Sequence, residues 1–392
     1  MNIKSILDND FYKFTMQNAV VTLYPRAKAR YAFINRGGHE FPEGFAEKLS
    51  TEIKKMEKMQ LTPEEKIFLR KSCPYLPPTY LDFLQGFRYD AEEVTVTQHG
   101  GNLEIKIEGF WYRTILWEVP LMFLVCELYY EQEEIKNTIG IRQSNEQVID
   151  TARKKIEKYK SMGIKIADFG TRRRHSYEVQ KMVVNTMISH GKGCFTGTSN
   201  VHLAMELGTR PIGTHAHEWF MFHAARYGFK MSNPLALENW VNIYRGDLGI
   251  ALSDTYTTDV FFRAFDKKFS KLFDGVRHDS GDPIEFAQKT ITHYKSMGID
   301  PLSKTIIFSD ALNYEKVRRI ADFCNEKIGM SFGIGTNFTN DVGLPPLNIV
   351  IKMTETHPEN GEWNHVVKLS DEHGKYTGNP DTIQLAKTIL GI

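Results

Sequence analysis

The sequence predicts an α/β protein, a barrel of parallel strands alternating with helices, beside a smaller α+β layer. The first observation is a recurring unit: a short apolar run, a small turn of Gly with Thr, Ser, Asp, Arg or His, then a helix-like stretch. It appears at residues 164–172, 193–200, 211–218, 275–282, 305–310 and 331–336. The second is the alternation of helix and strand patterns from about residue 143 onward, which signals a parallel sheet. The third is a contrast, since residues 1 to about 130 mix helix and strand without those turns. An open doubly wound sheet gathers its polar residues at one switch point, whereas here every unit ends in them, which favours closure into a barrel.

Taken in order, residues 8–23 have helical spacing, with Phe11, Phe14, Thr15 and Ala19 along one side, and residues 27–34 alternate like a strand. Thr62-Pro63-Glu64-Glu65 is a helix start, with a Thr cap, Pro at the first helical position and Glu three residues on. Residues 93–98 and 102–107 flank Gly100-Gly101 as a hairpin. The apolar stretch 116–130 is broken by Glu118, Pro120 and Glu127 and is too short to cross a bilayer, so it is expected as a buried helix. Residues 146–162 form a charged amphipathic helix. After the turn-bearing units, 347–353 and 366–369 look like strands that pair with the N-terminal sheet, and 379–390 like a capped helix. The expected divisions are 1–135, 136–345 and 346–392.

At 392 residues, 41% hydrophobic and 25% charged, the composition is that of an ordinary globular protein. A net charge of +1 gives no reason to expect nucleic acid or a membrane as partner. Cys73, Cys126, Cys194 and Cys324 have neither metal-ligand spacing nor the density of a disulfide framework. With no basic-then-apolar leader, they are expected as reduced thiols in a cytoplasmic protein.

Parallel strands put all their carboxyl ends at one rim, so the turns should converge although they lie far apart in sequence. Glycine and hydroxyl turns expose backbone N–H groups to a phosphate. Gly333-x-Gly335-Thr336 and Gly197-Thr198-Ser199 fit that use, and Arg172, Arg173 and Arg174 stand where an anion would be gripped. Asp279 and Asp282 flank a Gly turn and suit ribose hydroxyls or Mg²⁺ with a diphosphate. Asp282-Pro283 also reads as a helix cap, leaving Asp279 as the ligand. His215 and His217 alternate, so one of them faces the rim, and Glu218 could orient an imidazole. No G-x-G-x-x-G opens a helix, which disfavours dinucleotide-dependent oxidoreduction.

These residues carry a resemblance. From Leu7-Asp8-Asn9-Asp10-Phe11-Tyr12 through Gly213-Thr214-His215-Ala216-His217-Glu218-Trp219 and Arg277-His278-Asp279-Ser280-Gly281-Asp282-Pro283 to Leu347-Asn348-Ile349-Val350-Ile351-Lys352, the chain is similar to nicotinate phosphoribosyltransferases. The resemblance implies the type II phosphoribosyltransferase architecture, an irregular α/β barrel with an α+β domain built from both termini, in a homodimer whose active sites lie near the subunit boundary. It implies that nicotinate displaces pyrophosphate from 5-phosphoribosyl 1-diphosphate to form nicotinate mononucleotide, with Mg²⁺ as cofactor and ATP hydrolysed as a coupling co-substrate.

Residue by residue, His217 matches the histidine that ATP phosphorylates, with Asp279 and Arg277 as further catalytic groups. Phe169, Tyr12, Thr214, Ser199 and Arg277 match the nicotinate site, Tyr12 often reaching it from the neighbouring subunit. Arg172, Asp279, Gly335 and Thr336 match the site of the phosphoribosyl donor. No metal ligands are assigned. In nicotinamide-specific relatives the turn at Ser199 carries Asp, so a neutral Ser able to donate to a carboxylate points to nicotinate. The alternatives are nicotinamide or quinolinate phosphoribosyl transfer and a non-catalytic nucleotide-binding regulator on the same fold.

Overall fold

A computed structural model of the protein describes residues 3–136, 139–359, 361–372 and 376–392. Two sheets organise it. The parallel sheet has six strands in the order Phe195–Thr198, Ile166–Asp168, Gly329–Ile334, Thr305–Phe308, Gly275–His278 and Ile250–Leu252. Its strands are short and largely buried, with helices between them, as a core of parallel strands requires. Pro211–Ile212, expected as a strand, supplies one bridge to Thr198 instead, because proline has no N–H to continue a ladder. The last place in the sheet goes to Ile250–Leu252, whose following turn, Ser253-Asp254-Thr255, lacks glycine and so escaped the pattern.

The gap between the edge strands is spanned by 211–214. Ile212 N–H donates to Thr198 O at 2.9 Å, and Thr214 Oγ1 donates to Ile250 O at 3.1 Å. The parallel layer is therefore an irregular barrel, sealed on one side by a loop.

The second sheet is antiparallel, in the order Asn364–His365, Ile349–His357, Lys28–Asn35, Asn102–Phe110 and Val94–His99. Lys28–Asn35 thus lies between a strand from the hairpin and one from near the end of the chain, with Ala32 opposite Lys106 on one side and Lys352 on the other. Residues 366–369 are not a strand: Val366, Val367 and Leu369 are buried, but only Lys368 bridges, to Thr377.

Local signals fix the helix starts. Thr62 and Glu65 form a reciprocal capping box before Pro63–Ser72, Asp282 caps Pro283–Ser296, and Asn379 caps Pro380–Leu390. The helix expected from residue 8 begins at Phe11 and is buried on all sides through Val20 rather than along one face. Its N-terminal approach is tied to the barrel, where Phe11 N–H donates to Ser199 O and Val201 N–H donates to Asn9 O. Glu118–Lys136 forms the expected buried helix. Among the described residues no helix is long and apolar enough to cross a membrane. The four cysteines are free and buried.

Candidate active site

The carboxyl ends of the parallel strands meet at one rim. Phe169, Asp254, Asp279, Ser309 and Gly335 each follow directly on, or within two residues of, a strand end. Two cavities open there, one of about 300 Å³ lined by Tyr12, His217 and Lys368 among others, and one of about 680 Å³ lined by Phe169, Gly335 and Thr336 among others. Arg172, Arg173, Arg277, Asp279, Ser309 and Ala311 line both, so the two form one continuous cleft with a cationic waist.

His217 is the first residue of helix His217–Tyr227. Its Nδ1 lies 3.0 Å from Thr255 Oγ1, while Nε2 lies 3.0 Å from Asp279 Oδ2 and 2.9 Å from Lys368 Nζ. Burial, reinforced by the Lys368 ammonium and opposed by Asp254 and Asp279, holds the imidazole down to about 4. The ring is therefore neutral near pH 7 and carries one N–H. On Nε2 that proton would serve the ionised Asp279 carboxylate; on Nδ1, facing Thr255, it leaves the Nε2 lone pair to the Lys368 ammonium, so the two neighbours of Nε2 favour opposite tautomers.

Asp279 links this corner to the waist. Its Oδ1 accepts from Arg277 Nη2 at 2.9 Å and from Ser309 Oγ at 2.8 Å. Burial would raise its carboxyl, but Arg277, His217 and Lys368 outweigh that and keep it well below the usual carboxylate range. Arg277 Nε donates to Ser309 Oγ at 2.8 Å, so the guanidinium is held along one edge. Arg172 is held more loosely, 3.8 Å from Asp10 and 3.5 Å from Glu118, with its side chain 39% exposed.

Other expected residues are placed differently. Arg174 does not face the cleft; it is fully buried, bidentate to Asp8 at 2.7 and 2.9 Å and bonded to Glu127 at 2.7 Å. His215 turns away from the rim into an aromatic pocket between Phe220 and Trp240, with neither ring nitrogen hydrogen-bonded among the described residues. Burial pushes it down to about 3, so a neutral ring suits that place. Glu218 does not orient an imidazole but accepts from Lys13 and, at 2.6 Å, from the Tyr31 hydroxyl. Asp279 takes that place.

Ser199 and Thr214 line neither cavity. Ser199 Oγ donates to Asp10 Oδ1 at 2.6 Å, and a hydroxyl has only one proton to donate. Thr214 gives its proton to Ile250 O. Tyr12, expected from a neighbouring subunit, lines the cleft of its own chain.

At the other end glycine sets how closely the Phe169 turn can pack. A Cβ on Gly333 would stand 2.2 Å from the Phe169 ring, and one on Gly335 would stand 3.1 Å from Phe169 O, so the Phe169 turn can lie this close only against residues without side chains.

Lys368, Asp254 and Thr255 belong to the same corner and went unnoticed in the sequence. Asp254 Oδ2 lies 3.2 Å from Lys368 Nζ, and one ligand atom from each of His217, Asp254 and Asp279 falls within 4.8 Å of the others. The apolar run before Ser253-Asp254-Thr255 was the one available signal. Lys368, in a stretch that reads as a buried strand, gave none.

Comparison with known proteins identifies the family. Residues 7–126 match the nicotinate phosphoribosyltransferase (NAPRTase) N-terminal domain, and residues 164–392 match the nicotinate phosphoribosyltransferase (NAPRTase) family. The chain is 61% identical to a nicotinate phosphoribosyltransferase of Chromohalobacter salexigens, covering 100% of this chain and 99% of that one. It is 48% identical to one from Desulforapulum autotrophicum, covering 97% of each. The crystal structure of nicotinate phosphoribosyltransferase from Porphyromonas gingivalis superposes with a TM-score of 0.95 at 47% identity, covering 100% of both chains. With both halves matched and relatives aligned from end to end, the chain belongs to the nicotinate phosphoribosyltransferase family.

Proposed function

We propose that the chain transfers the phosphoribosyl group of 5-phosphoribosyl 1-diphosphate to nicotinate, forming nicotinate mononucleotide and pyrophosphate in NAD biosynthesis, with ATP hydrolysis coupled through phosphorylation of His217. The end-to-end match to nicotinate phosphoribosyltransferases carries the reaction. The neutral His217 imidazole, with Lys368 at its Nε2, supports the coupling.

In the transfer the pyridine nitrogen forms a bond to C1 of the ribose as the bond from C1 to the pyrophosphate oxygen breaks. The nitrogen lone pair is already nucleophilic, so no strong base is needed. The protein's work is to place the ring in line and to stabilise the departing charge. Phe169 and Tyr12 supply aromatic faces on the two sides of the waist, and Arg172, Arg173 and Arg277 supply positive charge within it. The Gly335-Thr336 turn offers backbone N–H groups and a hydroxyl to the 5-phosphate. With Ser199 bound to Asp10, preference for a carboxylate over an amide rests on the arginines instead.

For the coupling step, Nε2 of His217 attacks the γ-phosphorus of ATP while the bond to ADP breaks, and the Lys368 ammonium lies where it would neutralise the incoming phosphoryl oxygens. Asp254 and Asp279 fit Mg²⁺, since both are hard oxygen donors and Asp254 Oδ1 is buried with no hydrogen-bond partner among the described residues. When bound there, Mg²⁺ would offset the charge of the diphosphate. The reading includes a homodimer and a cytoplasmic location, the latter in keeping with four free cysteines.

The test is an initial-rate comparison of nicotinate, nicotinamide and quinolinate with the phosphoribosyl donor, with and without ATP, followed by pyrophosphate release. Nicotinate alone should be used efficiently, and ATP should stimulate it. Comparable use of nicotinamide would overturn the substrate assignment, and indifference to ATP would overturn the coupling.

A further inference from the structure

The segment that brings Lys368 to His217 is not part of either sheet. It is held by three contacts with barrel loops. Leu369 N–H donates to Thr255 O at 2.8 Å, Asp371 N–H donates to Ser280 Oγ at 3.1 Å, and the Asp371 carboxylate receives both the N–H of Thr258, at 2.8 Å, and the Thr258 hydroxyl. Ser280 Oγ in turn donates to Asp254, the carboxylate that faces Lys368. The contacts form a closed circuit running from Lys368 through Asp254 and Ser280 to Asp371, and back along the chain to Lys368.

Two residues in or beside this circuit have unusual backbones. Ser370 has φ of 63° and Thr257, at the N-cap of helix Thr258–Ala264, has φ of 72°. A β-branched residue in that region is strained and persists only where its surroundings over-determine it. The Asp371 carboxylate does so from outside, by binding the first N–H of that helix. Gly281 makes room for it, since a Cβ there would stand 3.0 Å from Asp371 Cβ. Asp371 does not line the cavity that holds His217. It lines a separate cavity of about 530 Å³ on the far side of Ser280 and Ser370.

We propose that Asp371 is a positioning residue for the coupling step: by docking Ser370-Asp371 on the Thr255–Thr258 turn it fixes the Lys368 ammonium at Nε2 of His217. The inference rests on the reading of His217 as the phosphorylated residue. Loss of the Asp371 carboxylate removes the contacts to Thr258 and leaves the segment held by its backbone bonds to Thr255, Ser280 and Thr377 alone, and displacement of a reacting group by about 1 Å can cost about 100-fold in rate.

The experiment uses the full chain and γ-labelled ATP, measuring phosphohistidine formation in a single turnover beside the ATP-independent synthesis of nicotinate mononucleotide. Asp371→Ala should slow phosphorylation by about 10- to 100-fold and leave the ATP-independent rate within about 2-fold. In a Lys368→Met background the same substitution should cost nothing further, because the group it positions is gone. Equal loss of both rates, or an additive loss in the double variant, would overturn the inference by assigning Asp371 a structural role. If Asp371→Ala does not fold, Thr258→Val removes the hydroxyl from the same contact and should slow phosphorylation alone; equal rates would overturn the inference. Absence of phosphohistidine in the unaltered chain would sink the reading of His217 itself, whereas phosphorylation of Asp371→Ala at the unaltered rate would sink only the role of Asp371.

Discussion

At the His217 end of the cleft the polar atoms come from distant stretches of chain, Asp254-Thr255, Asp279, Lys368 and the start of helix His217–Tyr227, and each is bonded to another side chain. At the Phe169 end glycines let the chain pack closely, Gly333 against the Phe169 ring, Gly335 against the Phe169 carbonyl and Gly170 against Thr339, in a lining that also carries Asn313, Asn337 and Asp341. The first region is a set of fixed charges suited to a reacting group. The second is the smoother one, closely packed where glycine allows, and suits a planar ring and a phosphate. The difference teaches that one rim can carry two kinds of precision, one from mutual side-chain bonds and the other from the close backbone approach that glycine permits.

The largest expected effect is at the charged end. His217→Ala should abolish ATP stimulation while a slow, donor-dependent synthesis of nicotinate mononucleotide persists, read as pyrophosphate release with and without ATP. Full coupling in that variant would remove the chemistry from this corner and leave the two regions alike.

Acid should act next. His215, His217 and His223 are held, chiefly by burial, to about 3, 4 and 3. An unfolded chain would protonate them near 6.5, so between there and about pH 4 their contribution to stability falls as pH falls, offset in part by Glu127 and Asp168, whose carboxyls burial holds up to about 7 and 6. Each displaced unit is worth about 1.4 kcal/mol, which makes the combined loss on the order of several kcal/mol. Urea midpoints measured across that window should decline steadily. A flat profile that stays flat in His215→Phe would mean that this imidazole is not buried neutral.

The smooth end is probed by Gly333→Ala, whose methyl would overlap the Phe169 ring. It should cost about 1–3 kcal/mol as overpacking, seen as a lower thermal midpoint together with a raised KM for nicotinate and intact ATP stimulation. Loss of stimulation would couple the two ends more tightly than their separate construction implies. The smallest effect is expected for Ser199→Ala, which deprives Asp10 of one donor at about 1 kcal/mol and should leave the preference for nicotinate over nicotinamide unchanged. A collapse of that preference would return Ser199 to the base site.

The same contrast explains what could be read from the sequence. Glycine turns are contiguous, so Phe169-Gly170 and Gly333-x-Gly335-Thr336 announced the smooth wall, and Asp282-Pro283 and Thr62-x-x-Glu65 announced their helices through local hydrogen bonds. The charged corner is assembled by topology. Asp254 follows a strand whose turn has no glycine, and Lys368 sits between buried apolar neighbours, so neither has a local pattern. Arg172 and Arg174 are two residues apart yet have opposite fates, because a carboxylate from residue 8 and another from residue 127 reach only one of them. Ser199 failed for the same reason, since the acid that takes its proton lies 189 positions away.

The buried Arg174 clamp has a consequence for how the molecule comes apart. The turn that presents Arg172 and Arg173 to the cleft is anchored, through the next residue, to the start of the chain and to the long helix Glu118–Lys136. Releasing either anchor leaves the buried guanidinium with one carboxylate in place of two, so loosening one layer weakens the hold of the other. Loosening of the rim should therefore be coupled to loosening of the start of the chain and of helix Glu118–Lys136.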